Sequence, residues 1–389
     1  EDCTYPFKGI CGAMVAYKLI SYIYEHTGLG ETVTDRKALL DEFLSFAAFA
    51  TIGDVMELTD ENRVAVKYGL KLIENTKNIG MRALIEATGI SNASLTFYHI
   101  GFILGPCINA TGRLETADAA LDLFLEEDPH KAEEAAHELV RINESRKNMT
   151  TAFEGKAVKI TTESFSDDRV LVVYMPECHE SLAGIVAGRL RERFNRPAIV
   201  LTDDADGNIK GSGRSTDSYD MYEELNKVSH LFTKFGGHKK AAGLSMPAGS
   251  AEELRRSLND NCALTLEEIG DKAVIDIPLP VGYVDEKLIK ELEKVEPCGP
   301  GNPKPLFAQK DIPIRSIQFL DKNRTALKLI LEGTDASGKT RIVEAVTFRD
   351  GERMYEELKD RKSVSLLYQA EINEYKGVRS VRLKIRDYF

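Results

Sequence analysis

The hydrophobic period of this chain changes twice, and the two changes leave few architectures open. Up to about residue 153, apolar residues recur at helical spacing. Residues 12–26 carry Val15, Leu19 and Ile23 on one stripe, and residues 36–50 end in Phe43, Leu44, Phe46, Ala47 and Phe49. Further helices are predicted over 61–74, 81–87, 116–125 and 130–153. The last has Ala132, Ala136, Leu139 and Val140 as its apolar stripe and a length suited to bridging two domains. From 170 to 269, strand-like runs at 170–174, 198–202, 208–214 and 241–247 alternate with helical stretches at 181–194, 219–235 and 251–269. Beyond 312 the pattern is mostly β: 312–319, 326–331, 341–348, 364–372 and 378–386, with one helical insert near 352–358. The fold class is α/β, built from a helical part, a long helix, an α/β module and a β module.

Two breaks punctuate this order. Gly105-Pro106 interrupts the apolar run 95–104, and the proline- and glycine-rich stretch Glu296–Pro305 separates the α/β module from the β module. Five strands in so short a module suit a small barrel such as an OB-fold, an architecture that often binds single strands. With 389 residues, two or three domains are expected. No apolar run is long enough to cross a bilayer, so no membrane is expected as a partner. The start, Glu1 to Pro6, has neither a basic region nor an apolar signal core, and it lacks an initiator Met, which points to a piece of something longer. Cysteines at 3, 11, 107, 178, 262 and 298 show no CxxC spacing. A zinc ribbon or a thioredoxin-like centre is therefore unsupported, and reduced thiols in the cytoplasm are expected. A net charge of −11 argues against wrapping nucleic acid over the whole surface, but not against a local basic groove.

The chemistry concentrates in two glycine-rich segments, Gly211-Ser212-Gly213-Arg214-Ser215 and Gly236-Gly237-His238-Lys239-Lys240-Ala241-Ala242-Gly243. Glycines let a backbone approach a ligand closely. Ser212 and Arg214, two apart in an extended segment, share one face, and a hydroxyl beside a guanidinium suits a phosphate or carboxylate. His238 follows two residues that cannot screen it. Each segment alone also reads as a solvated turn. Asp54, after the helix stop Gly53, is the metal-ligand candidate of the helical part, or else a cap. One carboxylate does not make a divalent-ion site, and no Asp-x-Asp or clustered His-Asp motif accompanies it. Asn109 and Arg113 flank the small-residue turn Ala110-Thr111-Gly112, where they could hold a phosphate or an interdomain contact. His179 precedes a predicted helix start, a place for an anion or for a simple cap. Arg382, Lys384 and Arg386 alternate with Val381, Leu383 and Ile385, so the three cations face outward together. They belong to a stretch from Lys376 to Arg386 with five basic residues and no acidic one, suited to a nucleic-acid backbone or to a charged sheet edge. Tyr368 and Tyr375 could stack bases or fill the core.

Together these pieces resemble the bacterial RecJ family of single-strand-specific exonucleases, within the DHH phosphoesterase superfamily. The resemblance runs nearly end to end. Tyr5-Pro6-Phe7-Lys8 with Cys11-Gly12-Ala13 resembles the segment after the family's DHH motif. Gly53-Asp54-Val55 with Glu61-Asn62-Arg63 resembles its fourth metal-site motif. The segments 109–114, 179–189, 211–215, 236–243 and 297–305 resemble later family elements, with Cys178 where many members have Trp.

The resemblance implies four parts: the remainder of a DHH-type domain over 1–128, a connecting helix over 129–160, a DHH-associated domain over 161–270 and an OB-fold over 271–389. It implies 5′→3′ degradation of single-stranded DNA in repair and recombination, with two Mn²⁺ or Mg²⁺ ions. Asp54 would be a catalytic metal ligand. Ser212 and Arg214 would hold a terminal phosphate. Gly236, Gly237, His238, His179, Asn109 and Arg113 would line the same cleft, and Arg382, Lys384 and Arg386 would retain the strand. Implied partners are single-stranded DNA and a repair helicase or single-strand-binding protein, with the chain a cytoplasmic monomer. The upstream Asp-rich strands and the DHH triplet do not occur in this sequence, so negligible hydrolysis by this chain alone is expected. Two other readings stand beside this one: a phosphodiesterase for short oligonucleotides or cyclic dinucleotides, and a non-catalytic strand-binding protein.

Overall fold

The computed structural model describes residues 4–27, 35–91, 94–114, 116–375 and 378–389, with the backbone alone at 375 and 378. Cys3, Lys376 and the side chain of Tyr375 lie outside the described residues. The chain forms two units: Glu1–Asn75 with Ser94–Ile100 and Ala273–Phe389, and Thr76–Ala93 with Gly101–Lys272.

The first unit begins with α1 (Gly12–His26), α2 (Arg36–Gly53) and α3 (Asp60–Glu74). Asp35 caps α2 by accepting from Ala38 N at 2.9 Å. Gly69 lets α3 lie against α2, because a Cβ there would fall 2.1 Å from Ala48 Cβ. The stripe expected on α1 is corrected. Val15 and Leu19 are exposed, while Met14 is buried with Cys11, Ala47 and Ala65. Both sides of this helix are apolar, so spacing alone could not choose between them. Asn62 and Arg63 act as staples. Asn62 Nδ2 donates to Gly9 O and Glu57 O, and Arg63 Nη2 donates to Val295 O at 3.0 Å.

The second unit holds α4 (Ile79–Ala87), α5 (Gly105–Leu114), α6 (Asp118–Leu125) and α7 (Pro129–Ser164). The expected break at Gly105-Pro106 does not occur. A π-helical turn, His99–Leu104, runs straight into α5. Pro106 lies inside this continuous helical run, just after the π-helical turn, where its missing N–H removes one bond from the ladder. The expected turn at 110–112 is likewise helical. Ala110 and Thr111 are fully buried, and that packing overrides the poor helix propensity of Asn, Thr and Gly. Asp128 caps α7, and the helix runs eleven residues past 153 because Ala157 joins the core beneath the sheet.

That sheet contains β1 (Leu171–Tyr174), β2 (Ala198–Asp203), β3 (Ile209–Arg214), β4 (Lys234–His238) and β5 (Ala241–Met246), in the order β1-β2-β3-β5-β4. Helices α8 (Glu180–Phe194), α9 (Met221–Lys227) and α10 (Ala251–Asn261) complete the unit. The runs in β1 and β2 are apolar on both faces for a reason. Val172, Ile199 and Leu201 enter one core, and Leu171, Val173 and Val200 enter the other. The helix expected over 219–235 is corrected: α9 stops at Lys227, and Phe235 sits in β4 opposite Leu244. The helix expected over 251–269 also stops early, at Asn261. Asn259 Oδ1 accepts from the N–H groups of Arg169 and Val170, tying α10 to β1, while Cys262 and Ile269 fill the core as coil.

The rest of the first unit is a barrel: β6 (Ile277–Pro278), α11 (Glu286–Leu292), β7 (Phe307–Phe319), β8 (Leu327–Thr334), β9 (Thr340–Thr347), α12 (Gly351–Leu358), β10 (Ser363–Tyr375) and β11 (Val378–Tyr388). Strands run β7-β8-β9-β11-β10, and β10 closes onto β7. The β9–β11 pair is parallel and the other four pairs are antiparallel. This is the five-stranded closure of an OB-fold. Tyr368 is a core residue: it is fully buried and donates to Leu279 O at 2.6 Å, so it does not stack bases. Among the described residues no helix is long and apolar enough to cross a membrane.

Candidate functional site

The second unit gathers its polar residues on one face of β3, β5 and β4. Register sets three cross-strand rows on that face: Lys210–Ser245–Lys234, Ser212–Gly243–Gly236 and Arg214–Ala241–His238. Alternation along β3 buries Gly211 and Gly213 and turns Lys210, Ser212 and Arg214 outward together. Strands stand ~4.8 Å apart, so Arg214 and His238 begin about 10 Å from each other across β5. Side chains of their length can close that gap on one anion. The segments are also tied end to end, because Ser215 N donates to Lys240 O at 2.9 Å and Met221 N donates to Lys239 O at 3.0 Å.

Side-chain contacts aim these groups. Lys240 N donates to His238 Nδ1 at 3.3 Å, which leaves Nε2 as the protonated, outward nitrogen of the neutral ring. Arg214 Nη1 donates to Gly213 O at 2.8 Å. The flank of Arg214 lies under α8, where a Cβ on Gly184 would fall 2.8 Å from Arg214 Nη2. Gly188, one turn on, faces Arg214 Cγ at 3.9 Å. Glycine at 184 opens the slot in which the guanidinium rests, while a Cβ at 188 would make only an ordinary contact with the stem of Arg214.

The two glycines before His238 do different work. Gly237 has φ +155, and a Cβ there would fall 2.3 Å from Ala241 O, so the hairpin itself demands glycine. A Cβ on Gly236 would meet nothing within 4 Å and would project into open space. The backbone gives no reason for glycine at 236; the bare floor it leaves beside Ser212 does.

Three guanidiniums gather around Arg113, which acts on both Arg146 and Arg214. Arg113 Nη1 donates to Ser181 O at 2.8 Å. Arg146 of α7 is held by Asn143 Oδ1, which accepts from Nε and Nη2 at 3.1 and 2.9 Å. Asn143 in turn donates to Cys107 Sγ on α5. Burial, then the nearby Arg113 charge, lowers the pKa of both Arg146 and Arg214. None of the three has a carboxylate partner among the described residues. Asn109 is exposed on α5 one turn before Arg113. His179 caps α8, its Nδ1 accepting from Ser181 N at 3.3 Å.

In the first unit, Asp54 is an exposed residue at the C-terminal end of α2, its N–H donating to Ala50 O at 2.8 Å. On the barrel, Arg382, Lys384 and Arg386 do share the outer face of β11, with Leu383 and Ile385 inside. They are not equally available. Arg382 is bonded to Glu371 through Nε at 2.9 Å and lies over the Phe348 ring at 5.6 Å. Arg386 donates to Gln369 Oε1 at 2.9 and 2.7 Å. Lys384 is half-buried with no acidic partner among the described residues, and burial, then Arg386, lowers its pKa.

Two family models match the chain: the DHHA1 domain over residues 167–264 and the RecJ OB domain over residues 275–387. The RecJ exonuclease of Salmonella typhimurium is 30% identical over 401 residues, covering 100% of this chain and 68% of that protein. This chain belongs to the RecJ family. The Bacillus subtilis RecJ is 33% identical over 388 residues, covering 99% of this chain and 47% of the relative. The crystal structure of Thermus thermophilus RecJ in complex with Mg²⁺ matches with a TM-score of 0.81 and 26% identity, covering 99% of this chain and 56% of that one. The chain thus spans about half the length of these last two RecJ proteins.

In RecJ terms, the three-row face lies within the DHHA1 match and the cations of β11 within the RecJ OB match. Among the described residues no group of three or more His, Cys, Asp or Glu side chains could hold a metal ion. Asp54 alone does not make a divalent-ion site, which takes several oxygen or imidazole ligands. Sequence reasoning missed Gly184, Gly188 and Arg146. Two glycines four apart in an otherwise strong helix were a legible signal. Arg146 gave none, being one charge among many on α7.

Proposed function

We propose that this chain grips the phosphorylated end of a DNA single strand for a RecJ-type exonuclease acting 5′→3′ in repair and recombination. The observation that carries the reading is the middle row, Ser212–Gly243–Gly236. It is an uncovered floor with a hydroxyl at one end, beside a half-buried guanidinium that lacks a carboxylate among the described residues. Arg214 donates to the phosphate with a charge-assisted bond, Ser212 adds a hydroxyl donor, and His238 Nε2–H closes from the far strand. Arg113, with Asn109 beside it, holds the first turn of α8 and adds positive potential. His179 fixes that turn as its cap, and Gly237 fixes the hairpin. A terminal phosphate carries more charge than a diester, so this cluster favours it. On the barrel Lys384 carries most of the hold on the following strand, with Arg382 and Arg386 beside it on the same face.

The division at residues 128, 160 and 270 belongs to the same reading. So do a cytoplasmic, monomeric chain, a helicase or single-strand-binding protein as partner, and Asp54 as a ligand in a divalent-ion site that needs donors beyond the described residues. A bound Mg²⁺ or Mn²⁺ pair would supply Lewis-acid chemistry to the phosphodiester. Calorimetry with a 5′-phosphorylated and a 5′-hydroxyl oligonucleotide tests the grip: the phosphorylated strand binds more tightly, and equal affinities sink the reading. Hydrolysis by this chain alone stays negligible in Mn²⁺, and robust activity of the purified chain overturns that part.

A further inference from the structure

The three-row face has one row that the terminal-phosphate reading leaves unused. Beyond Ser212, on the side away from Arg214, stand Lys210 and Lys234 with Ser245 between them. This row is part of a formed cleft of ≈ 500 Å³, whose lining includes Ser181, Lys210, Ser212, Lys234, Gly236 and Ser245. We infer that Lys210 and Lys234 form a second phosphate position, so that the groove takes two successive phosphates of one strand.

This rests on the reading of Ser212 and Arg214 as the terminal-phosphate holders. The outer rows are four residues apart along β3, or about 13 Å at strand rise, more than one phosphate occupies. Between them the floor stays low, because Gly236 and Gly243 carry no side chain and a Cβ at 243 would have only Gly211 O at 4.0 Å. A sugar–phosphate backbone can therefore run along the cleft from the lysine row to the Ser212–Gly243–Gly236 row, next to which stands the Arg214 row. The lysines bracket that path from its two sides, one on β3 and one on the edge strand β4. Lys234 is exposed and has no acidic partner among the described residues. Lys210 is engaged: its Nζ donates to Glu180 Oε2 at 2.6 Å, in a pair that is open to solvent on both sides. Such exposed pairs exchange readily. Glu180 thus occupies the lysine until a phosphate replaces it. The two positions differ in kind. The Arg214 end offers a directional fork under a helix, suited to a terminal group, and the lysine end offers two point charges on flexible stems, suited to a diester in any rotation.

The test compares thymidine 5′-monophosphate with the 5′-phosphorylated dinucleotide pTpT by calorimetry on the full chain at low salt. The unaltered chain binds pTpT roughly tenfold more tightly than the mononucleotide, with a salt slope steeper by about 0.7. Lys234→Ala and Lys210→Ala each narrow that gap severalfold, and together they bring it to within about twofold, while mononucleotide affinity and Tm stay unchanged. Lys234→Arg restores the gap. Equal binding of the two probes by the unaltered chain, or a gap that survives both alanine substitutions, overturns the second position. Failure of Arg214→Ala to weaken the mononucleotide instead overturns the first position, so the two readings fail separately.

Discussion

The sheet groove and the outer face of the barrel both carry rows of cations, and they treat them differently. In the groove, Arg214 lies half-buried under α8 with no acid beside it among the described residues, and Arg113 adds like charge nearby. On the barrel, Arg382 has already found the carboxylate of Glu371, while Arg386 is held only by the neutral amide of Gln369. Holding a guanidinium partly out of water beside like charges disfavours the empty protein, and an anion relieves that penalty. A cation that is already paired carries no such stored demand. Unneutralised burial is therefore the better marker of a ligand site than the density of basic residues along a strand.

The largest test of this contrast is Arg214→Ala. It lowers affinity for a 5′-phosphorylated oligonucleotide roughly 10- to 150-fold, the worth of a charge-assisted bond, as measured by calorimetry. A loss under threefold would place the two surfaces on a par. Next comes the glycine pair. Gly237→Ala destabilises by about 1–3 kcal/mol in denaturant unfolding, since its backbone conformation is closed to a side chain. Gly236→Val leaves stability within about 0.5 kcal/mol yet blocks the nucleotide. If the two glycines respond alike, the floor at 236 has no special role.

A smaller effect separates the barrel cations. Lys384→Ala weakens single-strand binding by about 1 kcal/mol and reduces the salt slope by about 0.7. Arg382→Ala changes affinity less than twofold, because Glu371 already neutralises it. The reverse order, read by fluorescence anisotropy, would break the comparison. The smallest effect is on pH. The folded pKa of Lys384 lies below the ordinary lysine value, so its charge is lost earlier as pH rises. Strand affinity therefore begins to fall in the alkaline range before ordinary lysines titrate, and Lys384→Arg removes that early fall.

Much of this was legible in the sequence where a strict period existed. Alternation put Ser212 and Arg214 on one face, and Arg382, Lys384 and Arg386 on another, and the strands do so. The barrel strands were legible for the same reason, as was the stop at Gly53. Legibility failed where two patterns fitted equally. The apolar positions between Tyr219 and Phe235 suit a helix, yet pairing with Leu244 draws Phe235 into β4. Asn109 to Arg113 looked like a turn because its residues favour turns, but burial of Ala110 and Thr111 decides for helix. Sequence spacing also could not tell which cations meet carboxylates. Glu371 reaches Arg382 only because β10 and β11 are adjacent in this register.

The outermost strand of the five-stranded sheet, β4, ends the hydrogen-bonded ladder. An open rim of this kind ordinarily recruits a second polypeptide and seeds aggregates. Here Lys234 and, just beyond the strand, Lys239 make the rim a poor template. Erasing the charge at Lys234 thus lowers the barrier to self-association as well as loosening a nucleotide, so light scattering belongs beside every titration of that variant.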